Sequence, residues 1–87
     1  MRESEIEKYL CDMVKAMRGE VRKVKWIGKH SAPDRLVLLP ELDTYGPAGL
    51  IPARQVWVEL KASGKKATAA QAREHARLRK FGQRVVV

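Results

Sequence analysis

Glu59 and Lys61 stand two residues apart in Gln55 to Ala62, a segment whose centre, Val56-Trp57-Val58, reads as strand. Alternation puts Val56, Val58 and Leu60 on one face and Trp57, Glu59 and Lys61 on the other. A carboxylate and an ammonium therefore project side by side from an otherwise apolar run. The plain explanation is a local ion pair at a sheet edge, and spacing alone favours it, because Glu-x-Lys is common. The alternative is a metal-binding carboxylate beside a lysine that holds or polarises a water. Upstream, Pro33-Asp34 opens the apolar run Arg35 to Leu39. Taken alone, Asp34 reads as a turn or cap residue. Taken together, Asp34 and Glu59 on neighbouring strands could share a hard divalent cation through oxygen, with Gln71 following early in the next helix.

The elements that position these residues are legible from pattern. Residues 3 to about 18 form a helix whose apolar stripe is Ile6, Leu10, Met13 and Met17, with Gly19 as its stop. Val21 to Ile27 alternates as a strand. Gly28 to Pro33 is a polar turn, and Arg35 to Leu39 a short buried strand. Pro40 to Arg54 holds three prolines and two glycines and reads as a long loop. Thr68 caps a helix running to about Phe81, with Gly82 as its stop. Val85 to Val87 begins a last strand, so either that edge is short or the natural chain continues. The order is αβββαβ, an α/β arrangement with a small mixed sheet flanked by helices.

Eighty-seven residues make one domain, 1–87, with a small core. Eighteen Lys and Arg against ten Asp and Glu leave a net charge of +8, which favours an anionic partner, nucleic acid before a membrane surface. From Lys61 to Arg84, eight basic residues face one acid, Glu74, so this segment carries +7 of the total. Arg73, Arg77 and Lys80 form one stripe on the second helix. Lys65 and Lys66 lie in the turn before it. Phosphate contact is the better reading of this set, with steep salt dependence. One cysteine, Cys11, excludes a disulfide within the chain and a Cys-rich zinc site. No signal peptide, membrane-spanning run or nucleotide-binding glycine motif is present. His75 reads as a packed or solvent-facing residue. His30, Ser31 and Asp34 read as a polar turn rather than a hydrolase triad. Trp26 and Trp57 read as packing residues.

Gly28 to Asp34 followed by Arg35-Leu36-Val37-Leu38-Leu39-Pro40 resembles the G-x-x-x-x-P-D-R-hydrophobic stretch of the virus-type replication-repair nuclease (VRR-NUC) family, within the PD-(D/E)xK superfamily. Val58-Glu59-Leu60-Lys61-Ala62, then Gly64, Gln71, Leu78 and Gly82, resembles it too. So does the acidic opening Glu3-Ser4-Glu5-Ile6-Glu7 with Leu10. Each motif is short, but their order and spacing together are specific, and they run from Glu3 to Val87. Two features depart from the pattern. Ala32 stands where relatives often have Gly, and the 40–54 loop is longer than a tight hairpin.

The resemblance implies a PD-(D/E)xK restriction-endonuclease-like core and a DNA endonuclease dependent on Mg²⁺ or Mn²⁺. It implies Asp34 and Glu59 as metal carboxylates, the carbonyl of Leu60 as a further ligand, and Lys61 as the catalytic lysine. Gln71 would orient a carboxylate, water or phosphate. Glu3 would be the acid of the first helix, with Glu7 as its competitor one turn on. Standalone phage and bacterial relatives imply a homodimer acting on branched DNA such as Holliday junctions, in the cytoplasm of a bacterial or phage-infected host cell. No nucleotide cofactor or membrane partner is implied. The rival readings are a non-catalytic basic nucleic-acid-binding module and a structural subunit of a larger repair or replication complex.

Overall fold

The computed structural model describes residues 2–87. Helix α1 spans Glu3–Ala16, strand β1 Glu20–Lys23 and strand β2 Arg35–Leu39. Strands β3 (Leu42–Asp43) and β4 (Leu50–Ile51) follow, then β5 (Arg54–Val58), helix α2 (Ala69–Lys80) and β6 (Val85–Val86). The main sheet has the order β1-β2-β5-β6. Its first two pairings are antiparallel, and β5 with β6 is parallel. With β3 and β4 set aside, this is the expected αβββαβ order.

The 40–54 segment is not an unstructured loop. Within it β3 and β4 pair as a small hairpin, Leu42 opposite Ile51 and Asp43 opposite Leu50. Thr44 closes the hairpin by donating its backbone N–H (3.0 Å) and its hydroxyl (2.7 Å) to the Gly49 carbonyl. Strands of two residues are too short to show a hydrophobic period, so sequence pattern cannot reveal them.

Two strands are shorter than their sequence patterns suggest, for one reason: the partner runs out. The β1–β2 register pairs Lys23 with Arg35, and one further bond joins the Val24 N–H to the Asp34 carbonyl at 2.8 Å. The next partner would be Pro33, which has no N–H to give. Strand β5 ends at Val58. Beyond it, Glu59 donates one more bond, to the Val86 carbonyl at 2.9 Å.

The core lies between α1 and the sheet: Val14, Val37, Val58 and Leu60 are buried, with Ile6, Leu10, Val21, Leu39 and Val56 packed around them. The stripe of α1 facing the sheet is thus Ile6, Leu10 and Val14, at i, i+4 and i+8. Met13 and Met17, expected in that stripe, are about half exposed. The other face of β5 carries Trp57, whose ring centroid lies 5.0 Å from that of Trp26. Both indoles are tied down, Trp26 to the Pro33 carbonyl (2.7 Å) and Trp57 to Gln83 (3.2 Å).

Gly19 ends α1 differently from a left-handed glycine cap. The positive φ falls on Arg18, at 62°. Gly19 is needed for close approach instead: a Cβ there would lie 2.5 Å from the Leu38 carbonyl oxygen. Helix α2 begins as anticipated. The Thr68 hydroxyl accepts the Gln71 N–H at 3.1 Å, and the Gln71 side-chain oxygen accepts the Thr68 N–H at 2.9 Å, a reciprocal capping box.

Candidate functional site

The β2–β5 register pairs Arg35 with Val58. Continued by one residue, it sets Asp34 opposite Glu59. The two carboxylates thus leave adjacent strand ends, where directly opposed residues are close neighbours. Their surroundings differ. The Asp34 side chain is 51% exposed, and its Oδ1 lies 2.8 Å from the Arg35 guanidinium. Glu59 is 9% exposed, and its Oε1 lies 3.2 Å from Nε2 of His75 on α2. Lys61 is half-buried and makes no hydrogen bond or ion pair among the described residues, so the simple Glu59–Lys61 ion pair is not formed.

Helix α1 brings its acids to the same end of the sheet, with different fates. Glu7 pairs with the buried guanidinium of Arg35, at 3.0 Å from Nη2 and 3.1 Å from Nε. The Arg35 hydrogen bond holds the Glu7 carboxyl below its ordinary value, with charge attraction from Arg35 and Lys23 adding to it and partial burial opposing it. The same bond raises Arg35 above its own usual value. Glu3 is exposed in the first turn of α1 and has no ion pair among the described residues. No group of three or more His, Cys, Asp or Glu able to hold a cation occurs among the described residues. The acids expected to converge, Glu3, Asp34 and Glu59, therefore do not assemble as a preformed cage.

The lowered Glu7 value has a testable sign. A carboxylate whose folded value is depressed contributes stability that is complete above its unfolded value, near 4.5, and lost as pH falls through the folded value. Thermal melts taken as pH falls below 4.5 should therefore decline more steeply for the natural chain than for Glu7→Gln. The difference is expected to be modest, because the Glu7 side chain is 40% exposed. Parallel curves for the two proteins would exclude the pair as a source of stability.

Gln71 is engaged through its side-chain oxygen in the α2 capping box, not aimed as a bare ligand into the site. Its amide nitrogen makes no hydrogen bond among the described residues. Basic side chains gather in two open grooves. One is lined by Lys23, Lys25, Lys29 and Asp34, with Trp26 at its wall. The other is lined by Lys29, Arg77, Lys80 and Phe81. Lys29 belongs to both, so the turn after Gly28 joins the Asp34 end of the sheet to the basic stripe of α2. Lys65 and Arg73 are not in either groove. A third cavity, between α1 and the 58–65 segment, is lined by Glu59, Lys61 and Lys65 among others.

No family model matches the chain. Over all 87 residues it is 39% identical to "Putative nuclease p44" of Acyrthosiphon pisum secondary endosymbiont phage 1, covering 82% of that protein. A solved structure described as a "VRR_NUC domain" superposes with a TM-score of 0.73 at 35% identity, covering 98% of this chain and 81% of the other. The chain belongs to the VRR-NUC family. As a VRR-NUC protein it has the PD-(D/E)xK nuclease fold, in agreement with the resemblance read from its motifs. Ala32, a departure from the VRR-NUC pattern, is accommodated because the left-handed residues of that turn are Gly28 (φ 75°) and Ser31 (φ 67°), not Ala32 itself. Neither helix is long and apolar enough to cross a membrane.

Three features of this VRR-NUC site are roles that the sequence motifs do not reveal. Arg35 was readable as the one cation in an apolar strand, but not as the residue that gathers Glu7 and Asp34. His75 stands one turn after Gln71, and its burial depends on where α2 docks. Lys23, Lys25 and Lys29 sit outside the +7 segment, and only the fold places Lys29 beside Arg77 and Lys80.

Proposed function

We propose that this VRR-NUC chain is a Mg²⁺- or Mn²⁺-dependent DNA endonuclease that hydrolyses phosphodiester bonds in branched DNA. The observation that supports the reading is the β2–β5 register, which pairs Arg35 with Val58 and so leaves the next residues, Asp34 and Glu59, at adjacent strand ends, with Lys61 two residues further on. The donor set suits a hard cation: two carboxylates and the Leu60 carbonyl are all oxygen. Mg²⁺ commonly takes one or two protein carboxylates and keeps several waters, so a third acid in the first shell is not required. When bound, the cation supplies a Lewis acid and a water of lowered pKa.

In this reading Asp34, Glu59 and the Leu60 carbonyl hold the cation. Lys61, which no acid neutralises, offers its positive charge to the transition state. Glu3 is the acid of α1 that serves the site through water, since Glu7 is committed to Arg35. The remaining N–H donors of Gln71 meet a phosphate or a water. Arg77 and Lys80 bind the phosphate backbone in the groove that Lys29 shares and extends toward Asp34, and Lys65, Lys66 and Arg73 meet phosphates outside that groove. Two copies of the chain, each with one site, would cut the two strands of a symmetric junction. The exposed Leu42, Tyr45 and Leu50 of the hairpin and Met17 nearby provide apolar surface for such a pair.

The test is incubation with labelled duplex, single-stranded and four-way-junction DNA, with Mg²⁺, with Mn²⁺ and with chelator, alongside sedimentation to give the oligomeric state. Metal-dependent cutting that favours the junction is expected, from a dimer. Tight binding with no cutting in either metal would refute the enzyme and favour a non-catalytic basic module.

A further inference from the structure

His75 is the largest side chain that the fold buries completely, at 2% exposure. A buried polar ring needs a hydrogen-bond partner. Its partner is Glu59, sixteen residues away in sequence, with Nε2 3.2 Å from Oε1. We infer that His75 is a positioning residue, which fixes the Glu59 carboxylate in the orientation a divalent cation requires. The inference rests on the nuclease reading of Glu59 and assigns the site a residue that no VRR-NUC motif quoted above includes.

An ionised carboxylate only accepts, so the imidazole nitrogen facing it must carry the proton. One oxygen, Oε1, is then occupied by the Nε2–H donor, and Oε2 is left for a cation. Side chains that hydrogen-bond a metal ligand set its orientation and its basicity. Glu59 needs such support, because it stands just past the end of β5, where regular pairing has stopped. His75 can give it, because α2 is tied to the sheet beside it: Arg79 donates to the Val85 carbonyl of β6 at 2.8 Å. The ring therefore approaches Glu59 from a fixed element.

Mn²⁺ binding to the full chain, measured by calorimetry, tests this apart from catalysis. His75→Phe fills the volume without a donor, and His75→Gln restores an N–H at similar reach. Circular dichroism fixes a temperature at which each variant is folded. The Mn²⁺ dissociation constant is expected to rise about 10–100-fold in His75→Phe and to recover most of that loss in His75→Gln. Unchanged affinity in His75→Phe overturns the inference. So does an equal loss in both variants, which would mark general damage to the packing. A natural chain that binds Mn²⁺ with this His75 dependence yet never cuts DNA defeats the nuclease reading alone. A natural chain that cuts, with Mn²⁺ affinity indifferent to His75→Phe, defeats the positioning role alone.

Discussion

Lys61→Ala is expected to slow metal-dependent DNA cleavage by about 10²–10³-fold, the typical cost of removing one preorganised positive or hydrogen-bonding group from a charged transition state. That corresponds to roughly 3–4 kcal/mol of barrier. The fold should barely notice. Lys61 is half-buried, makes no ion pair among the described residues and lies beyond the last residue of β5. Truncating it leaves no charged partner stranded. Binding measured in chelator should also persist, because the basic grooves around Lys29, Arg77 and Lys80 remain. The substitution thus separates chemistry from affinity. Asp34→Asn makes the companion test, since it removes a charge with almost no change of shape. Cleavage at the natural rate by the folded Lys61→Ala protein would remove this lysine from the mechanism.

Gly19→Ala carries the largest expected loss of stability. The added methyl would lie 2.5 Å from the Leu38 carbonyl oxygen, 2.9 Å from Val14 Cγ1 and 3.0 Å from Leu39 Cδ2. Leu38 is held by pairing on both sides, with Glu20 of β1 and Gln55 of β5, so its carbonyl cannot swing away. Val14 belongs to the core. Overpacking of this kind costs about 3 kcal/mol, which in a domain this size lowers the melting temperature by roughly 10–20 °C. Arg18→Gly makes an informative contrast one residue away. Arg18 holds a φ of 62°, a conformation that costs an L residue about 1 kcal/mol and glycine nothing. It should be neutral or stabilising. If Gly19→Ala melts like the natural protein, α1 does not pack against β2 as closely as this geometry requires.

These two substitutions also separate what chain order reveals from what it hides. A glycine after a helix signals a stop, and the stop is there. Why the glycine is needed depends on a carbonyl nineteen residues further along.

The sequence by itself determined the features that rest on contiguous residues. Strand β2 matches its apolar run from Arg35 to Leu39. The Thr68 cap and the α2 stop at Gly82 follow from local hydrogen bonding and backbone freedom. The alternation that separates Val58 and Leu60 from Trp57 and Glu59 follows from the pleat of one strand, and the order of the VRR-NUC motifs is written along the chain. Only the tertiary structure decided the rest. Asp34 and Glu59 come to adjacent strand ends because the β2–β5 register pairs their neighbours Arg35 and Val58, and a slip of one residue would turn every side chain to the other face. Glu7 leaves the pool of available acids because Arg35, 28 residues away, is buried against it. Val14 rather than Met13 or Met17 enters the core because the docking angle of α1 selects one row of its surface. Gln71 turns back to its own helix end. His75 meets Glu59, and Lys29 lines one groove with Arg77 and Lys80, because elements distant in sequence pack together. Such pairings depend on how whole elements pack, and that is fixed by burial of the shared core rather than by any short run of residues.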